Sequence, residues 1–377
     1  MLPVFGPMNQ EIQGICDPSV PSPVPQSVST PISGRSTPSK SPQPMISMEV
    51  IFVLRQILSV FNPNGQLLPE KIFRHEVTVE SKSEDSKLKT RELYIYDTIL
   101  VRAGQSEVRG VCWTGNKVHK PYILLTPKVS PEGQRMYSES ELRMHMTAVS
   151  LGIAPKLYPC RRLDGTFSSS RNSLIRLANQ GDMILYFEKN KLEIKPLIDI
   201  SINMAVQVEN LHFLGIYHRD IKPENFLAHQ ATEGFIHIYL SDYGLATTDL
   251  NFTKRKGTNG YTPPEYCSFQ KPYDGVAVDK FGLGATLFGV LAQKALDRVY
   301  ELKYRSRFTL QDKVLDYEAF AVRRDKEIEA LIEEFIVFGE PFEHTKNALK
   351  GLLKTNASDR IPIKEAIRLL EATYACL

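Results

Sequence analysis

The sequence predicts an α+β chain, with strands gathered early and helices late. Between Arg91 and Lys128 three runs, LYIYDTILV, VRGVCW and PYILL, are rich in β-branched, aromatic and aliphatic residues. From Leu197 to Leu214 the apolar residues Ile198, Ile202, Ala205, Val206, Val208 and Leu211 instead follow helical spacing. With 377 residues and 42% apolar content, the chain can fill more than one core layer, and we expect two lobes.

Bulk composition excludes several classes. The 46 basic and 43 acidic residues leave a net charge of +3, which gives no argument for nucleic acid or a membrane surface. The cysteines Cys16, Cys112, Cys160, Cys267 and Cys376 are odd in number and lack metal-ligand spacing. Free thiols in a reducing, cytoplasmic setting follow, and a nuclear one is compatible. The apolar runs near Val50–Phe61 and Phe281–Ala292 are about a dozen residues each, short of the length that spans a bilayer. The N-terminus lacks the basic-then-apolar layout of a secretory signal.

Taken in order, residues 1–47 are dense in Pro, Ser and Gln, a composition that predicts disorder. Thr30-Pro31, Thr37-Pro38 and Ser41-Pro42 either serve a proline-directed kinase or are simply solvated. Residues 48–94 form an extension. In it Val50, Val53, Leu54, Ile57, Leu58 and Phe61 predict a helix, stopped by Asn62-Pro63-Asn64-Gly65. That helix either braces the small lobe or belongs to a partner site. Ser81–Lys89 reads as a polar loop tip. Ser138 with Glu141 three residues on is a capping box opening a helix. Lys156–Leu163 and Met183–Glu188 read as strands, and the polar stretch Gly165–Gly181 between them as a surface insertion. Gly215 ends the long helix that starts near Leu197.

The chemistry concentrates just beyond. Tyr217–Leu227 reads YHRDIKPENFL and puts Asp220, Lys222 and Asn225 within six residues. Ser241-Asp242-Tyr243-Gly244 follows at the end of a second strand-like run, FIHIYLSD. Two carboxylates, an amide and an ammonium on neighbouring loops are what phosphoryl transfer from a nucleotide requires.

These strings resemble the protein kinase family, with its H-R-D-x-K-x-x-N loop and its D-F-G, here with Tyr243 in place of Phe. The resemblance implies a bilobal fold: a small antiparallel-sheet N-lobe with one main helix over residues 95–188, and a larger helical C-lobe over residues 189–377. It implies that Asp220 orients the substrate hydroxyl and that Lys222 contacts the γ-phosphate in the serine/threonine-type pattern. Asn225 and Asp242 would then bind Mg2+. Gly104 to Val111 resembles the phosphate-covering G-x-G-x-[FY]-G-x-V, with Gly104 and Val111 matching but Ser106 and Arg109 replacing the second and third glycines. Lys128 is the implied strand lysine, with Lys120 and Lys117 as alternatives, and Pro127 stands where the family has an aliphatic residue. Glu141 is its implied partner as well as a cap, with Glu139 as the alternative.

The strand at Met183–Glu188 would lead into the hinge. Phe187 would narrow the pocket, and the backbone of Glu188 and Asn190 would hydrogen-bond adenine between Val111, Thr126 and Leu227. Downstream, Gly257–Glu265 resembles G-T-x-x-Y-x-[AP]-P-E, the peptide platform. Thr258 would bond Asp220 and Lys222, Asp279 would tie down the catalytic loop, and Glu265 would pair with Arg360. Thr253 or Thr248 is the implied phosphosite, or there is none.

The expected function is an ATP- and magnesium-dependent serine/threonine protein kinase. Its alternative is a pseudokinase acting as a nucleotide-binding or scaffold module, which Arg109 and Pro127 favour. A small-molecule phosphotransferase would lack the peptide platform.

Overall fold

The early strands close into a barrel. The computed structural model describes residues 48–61, 72–79, 89–102, 106–115, 118–127, 139–161, 173–231, 234–267, 272–295, 317–336 and 339–377. The leader 1–47 and most of the loop tip at 81–89 lie outside the described residues, as do Gly104, Lys117, Lys128 and Ser138. Strands β1 (Ile72–Val79), β2 (Lys89–Arg102), β3 (Ser106–Gly115), β4 (Val118–Pro127), β5 (Leu157–Arg161) and β6 (Ser173–Arg176) run in the order β1-β2-β3-β4-β6-β5. All pair antiparallel, and β1 closes on β5 through Thr78↔Arg161 and Val79↔Cys160.

Strand alternation gives the barrel wall two faces. Val111, Tyr122, Leu124 and Leu174 cluster on one, with Ile95, Trp113 and Tyr158 around them. Trp113 packs at a tilt against Tyr122, centroids 5.2 Å apart, and edge-on against Tyr158 at 5.3 Å. Cys112, Ile123 and Leu100 belong to a separate cluster, under helix α1 (Met48–Phe61). The α1 stripe Val50, Val53, Leu54, Ile57 and Val60 is buried, as its spacing predicts. Each such side chain contributes about 1.5–3 kcal/mol when removed from water.

Helix α2 (Glu139–Ser150) leads from the barrel wall into β5. A short strand β7 (Gly181–Asp182) and helix α3 (Met183–Lys189) then start the lower lobe. Two expectations fail here. The segment Met183–Glu188 is helical, because Gly181 turns the chain at φ +82 and Asp182 caps the helix, accepting from Leu185 N at 2.9 Å. The strand that enters the inter-lobe connection is β6, inside the stretch read as an insertion. Leu174 and Ile175 are buried between β4 and β5, and the polar flanks conceal that core.

The lower lobe is built on α4 (Ile194–Phe213), with a three-stranded sheet of β7, β8 (Phe226–Gln230) and β9 (Ile236–Leu240) beside it. Strands β10 (Asn251–Phe252) and β11 (Tyr273–Asp274) pair ahead of α5 (Gly275–Ala295). Helices α6 (Tyr317–Phe335), α7 (Glu343–Leu352) and α8 (Ile363–Cys376) complete it. Met204, Ala205, Val208 and Leu211 of α4 share one core with Phe281, Leu283, Leu287 and Phe288 of α5. The 18 residues 275–292 of α5 are long and apolar enough to cross a membrane, a longer stretch than the sequence reading allowed. They are 89% buried within the lobe, so α5 is its core helix. A side chain at Gly284 would begin 2.9 Å from Leu352 and Leu353, so glycine lets α5 and α7 cross closely.

One ion pair ties the lobe's periphery to this core. Arg360, only 3% exposed, grips Glu265 with two nitrogens, at 2.8 and 2.5 Å. It also donates to the carbonyls of Ala277, Lys354 and Thr355. The expected pairing of Glu265 with Arg360 is therefore present. Removing one partner strands a buried charge, so Glu265→Ala is expected to lose about 3–5 kcal/mol of stability, read by chemical denaturation.

Candidate active site

The loop carrying Asp220 is shaped by a buried carboxylate. Asp279 on α5 accepts the backbone N–H of His218 at 2.7 Å and of Arg219 at 2.6 Å. It also bonds His212 Nε2 at 2.9 Å. Those bonds hold Arg219 at φ +64, a left-handed conformation that a non-glycine residue keeps only when its surroundings fix it. Tyr217 meanwhile exchanges backbone bonds with Thr247, joining this loop to the next one.

The loop thus brings the expected residues together. Lys222 Nζ lies 2.8 Å from Asp220 Oδ2 and 2.8 Å from Thr258 Oγ1. Asn225, in a single turn over Pro223–Asn225, donates its amide to the Asp220 carbonyl at 2.7 Å. The carbonyl of Asn225 accepts from Ser241 N at 2.8 Å and Ser241 Oγ at 2.9 Å. That link sets Asp242 beside the Asp220 loop. Asp242 is exposed, sits at φ +63 and accepts from Gly244 N at 3.3 Å. Asp220 is 7% exposed, and its Oδ1 has no hydrogen-bond partner among the described residues.

Burial alone would push the Asp220 carboxyl up. The bonded Lys222 ammonium and the Thr258 hydroxyl outweigh it and hold the carboxyl below the usual aspartate range. Behind the loop stand three rings packed at a tilt. Tyr243 lies 5.2 Å from His145 on α2 and 5.4 Å from His218. His145 is bonded to the Pro155 carbonyl at 2.9 Å, and burial lowers its pKa to about 4.

The other expected positions are less uniform. Glu141 is buried on α2, whereas the side chain of its alternative, Glu139, and those of Ser106 and Thr126 lie outside the described residues. Ser106 opens β3 opposite Pro127. Lys120 is exposed. Leu227 is half-buried on β8, opposite Asp182. Val111 is fully buried with Tyr122, Leu124 and Leu174, away from the face that carries Cys112 and Ile123.

Glu188 and Asn190 lie on and after helix α3, so the hinge expected there is displaced to residues 177–182, between β6 and α3. The signal that could have found it is Gly181-Asp182, a turn followed by a helix cap. Phe187 moves with them onto α3, packed against the lower core. Thr248 and Thr253 are both exposed, while Arg219 donates to the Leu245 carbonyl at 2.6 Å and lies over the Phe252 ring.

A family model described as "Protein kinase domain" matches residues 166–369, more than half of the chain. The chain belongs to the protein kinase family. The bilobal arrangement of an antiparallel upper sheet over a helical lower lobe is the fold of that kinase domain. Similar proteins include a probable serine/threonine-protein kinase of Dictyostelium discoideum, 26% identical over 40% of this chain and 23% of its own length. A rhodopsin kinase of Sus scrofa is 32% identical over 38% of this chain and 26% of its own length. A probable serine/threonine-protein kinase of Saccharomyces cerevisiae is 31% identical over 31% of this chain and 11% of its own length. This kinase chain thus aligns with about a quarter or less of each relative's length.

Two titrations test the site's electrostatics. Lys222→Met removes the strongest interaction opposing burial and leaves the Thr258 hydroxyl in place, so the Asp220 pKa is expected to rise from its wild-type value, read by carboxyl-carbon NMR. His145 is neutral when folded and charges more readily when unfolded. Its contribution to stability is complete above pH 6.5 and lost as pH falls from there toward 4. His145→Gln is expected to flatten the stability profile in that window, where wild type loses about 3 kcal/mol.

Proposed function

We propose that this kinase domain transfers the γ-phosphoryl group of ATP to serine or threonine hydroxyls of protein substrates. The observation that carries the reading is Lys222 bridging Asp220 and Thr258, with Asn225 locked to the same loop. Asp220 Oδ1 is the free acceptor of that group, and it points the reading toward a hydroxyl donor. Because Lys222 keeps the carboxylate ionised, Asp220 is a weak base that orients the hydroxyl and takes its proton late, as the phosphoryl group departs. Lys222 also lends charge to the transferred group.

Magnesium fits the donor set. The side-chain nitrogen of Asn225 is committed to Asp220, which leaves its Oδ1 as an oxygen ligand that could share a cation with the exposed Asp242 carboxylate. Among the described residues no group of three or more His, Cys, Asp or Glu is clustered for a metal. Mg2+ suits such a sparse site, since one or two side chains and the substrate phosphates commonly hold it. Bound there, it would neutralise charge on the phosphates.

Serine/threonine preference draws support from Lys222 and from the names of the relatives. A peptide substrate draws support from Gly257–Glu265, whose Thr258 touches Lys222 and whose Glu265 is braced by Arg360. We place the protein in the cytoplasm, which suits the free thiols Cys112 and Cys376. A second reading, a nucleotide-binding or scaffold module without transfer, is favoured by Arg109. It lies in β3 opposite Leu124 of β4, where a glycine would let phosphate approach the backbone.

Peptide-library labelling with ATP separates the two. Asp220→Asn is expected to lower transfer by about 10²–10⁴-fold without unfolding the chain. Asp242→Ala is expected to remove the magnesium-dependent part of the nucleotide thermal shift. A magnesium-independent shift with no label on any peptide would support the second reading.

A further inference from the structure

Helix α1 stands between the upper barrel and the connection that leads to the site. Its buried stripe packs on Leu100 of β2, Cys112 of β3, Ile123 of β4 and Leu177 of the connection. Its last turn reaches the lower lobe. Val60 Cγ1 lies 3.5 Å from where a side chain on Gly181 would begin, and Lys189 on α3 donates to the Val60 carbonyl at 3.4 Å. Gly181 and Asp182 pair with Ala228 and Leu227 on β8, the strand that starts directly after Asn225. One end of α1 is therefore a single strand away from the loop that holds the phosphoryl-transfer groups.

A nucleotide whose phosphates meet Asn225 and Asp242 must lay its base against apolar surface between the two lobes, beside the connection. Of the apolar sheet faces, the one carrying Cys112 and Ile123 is the one that continues into Leu177 of the connection. Apolar side chains of α1 already occupy the upper part of it.

We propose that α1 is an intramolecular occupant of the nucleotide cleft, and that ATP binds after α1 leaves the sheet. The inference rests on reading the chain as an ATP-dependent kinase. It makes α1 a built-in competitor whose seat sets the apparent nucleotide affinity, since only the open fraction binds. The outward side of α1 carries Met48 and Phe52, 71% and 62% exposed, so this side of the helix is not what seats it.

The test uses the full chain, magnesium and a fluorescent ATP analogue. Amide hydrogen exchange over residues 48–61 is read with and without saturating nucleotide. Affinity is compared among wild type, the double variant Leu54→Gln/Ile57→Gln and Phe52→Gln on the outward side. The expected result is faster exchange in α1 on nucleotide binding, with affinity raised about tenfold or more in the double variant and unchanged in Phe52→Gln. Nucleotide binding with α1 protection unchanged overturns the proposal and leaves the kinase reading standing. If neither wild type nor the double variant binds nucleotide while both unfold cooperatively, the kinase reading fails and the proposal with it. Should the double variant not fold, the wild-type exchange result decides.

Discussion

The Asp279 carboxylate is the constraint on which the site depends. It is buried on the core helix of the lower lobe and satisfied by two backbone N–H groups and a histidine. A buried carboxylate without those donors would cost several kcal/mol, so the loop is drawn onto α5 by the need to pair it. The left-handed Arg219 is the local expense of that arrangement. Asp220 follows in sequence, so its position is set by a carboxylate on another element. The core packing of α4 on α5 and the position of the Asp220 carboxylate are thus one problem.

A second tier of bonds connects the loops to one another. The Asn225 carbonyl receives both donors of Ser241, and His218 bonds the Ser241 carbonyl. The Tyr243 ring, sandwiched by His145 and His218, carries this connection up to α2 in the other lobe. Tyr243 is 1% exposed and its hydroxyl reaches the Leu240 carbonyl at 3.3 Å, which gives the buried phenol a partner. Phe at this position would need no such bond. A shift of α2 would therefore move a stack that includes two hydrogen-bonded imidazoles, and the polar groups would resist separation.

The legible part of the sequence was the part where chemistry restricts residue type. Thr258, Asp279, Glu265 and Arg360 make the contacts their motifs imply, and Asp220, Lys222 and Asn225 lie together on one loop, because carboxylates, amides and guanidinium groups have few substitutes in such bonds. Geometry that depends on parity or context was harder to read. Val111 fits a loop pattern, yet strand register turns it into the aromatic core, and a one-residue difference in a strand exchanges the two faces. MILYFE has the hydrophobicity of a strand, and what makes it a helix is the turn at Gly181 and the cap at Asp182. The stripe on α1 announced a buried helix, but an amphipathic pattern does not say which surface covers it.

The seam of the upper barrel has a consequence of its own. Strand β1 meets β2 over eight residue pairs but meets β5 over two, at Thr78 and Val79. A cylinder joined so narrowly has one weak stave. Thermal breathing would part it there first and bare backbone donors and acceptors on β1 and β5. Such freshly opened edges recruit foreign strands. Among the described residues this two-pair seam is the barrel's narrowest, so heat-driven clumping of the barrel is expected to begin there.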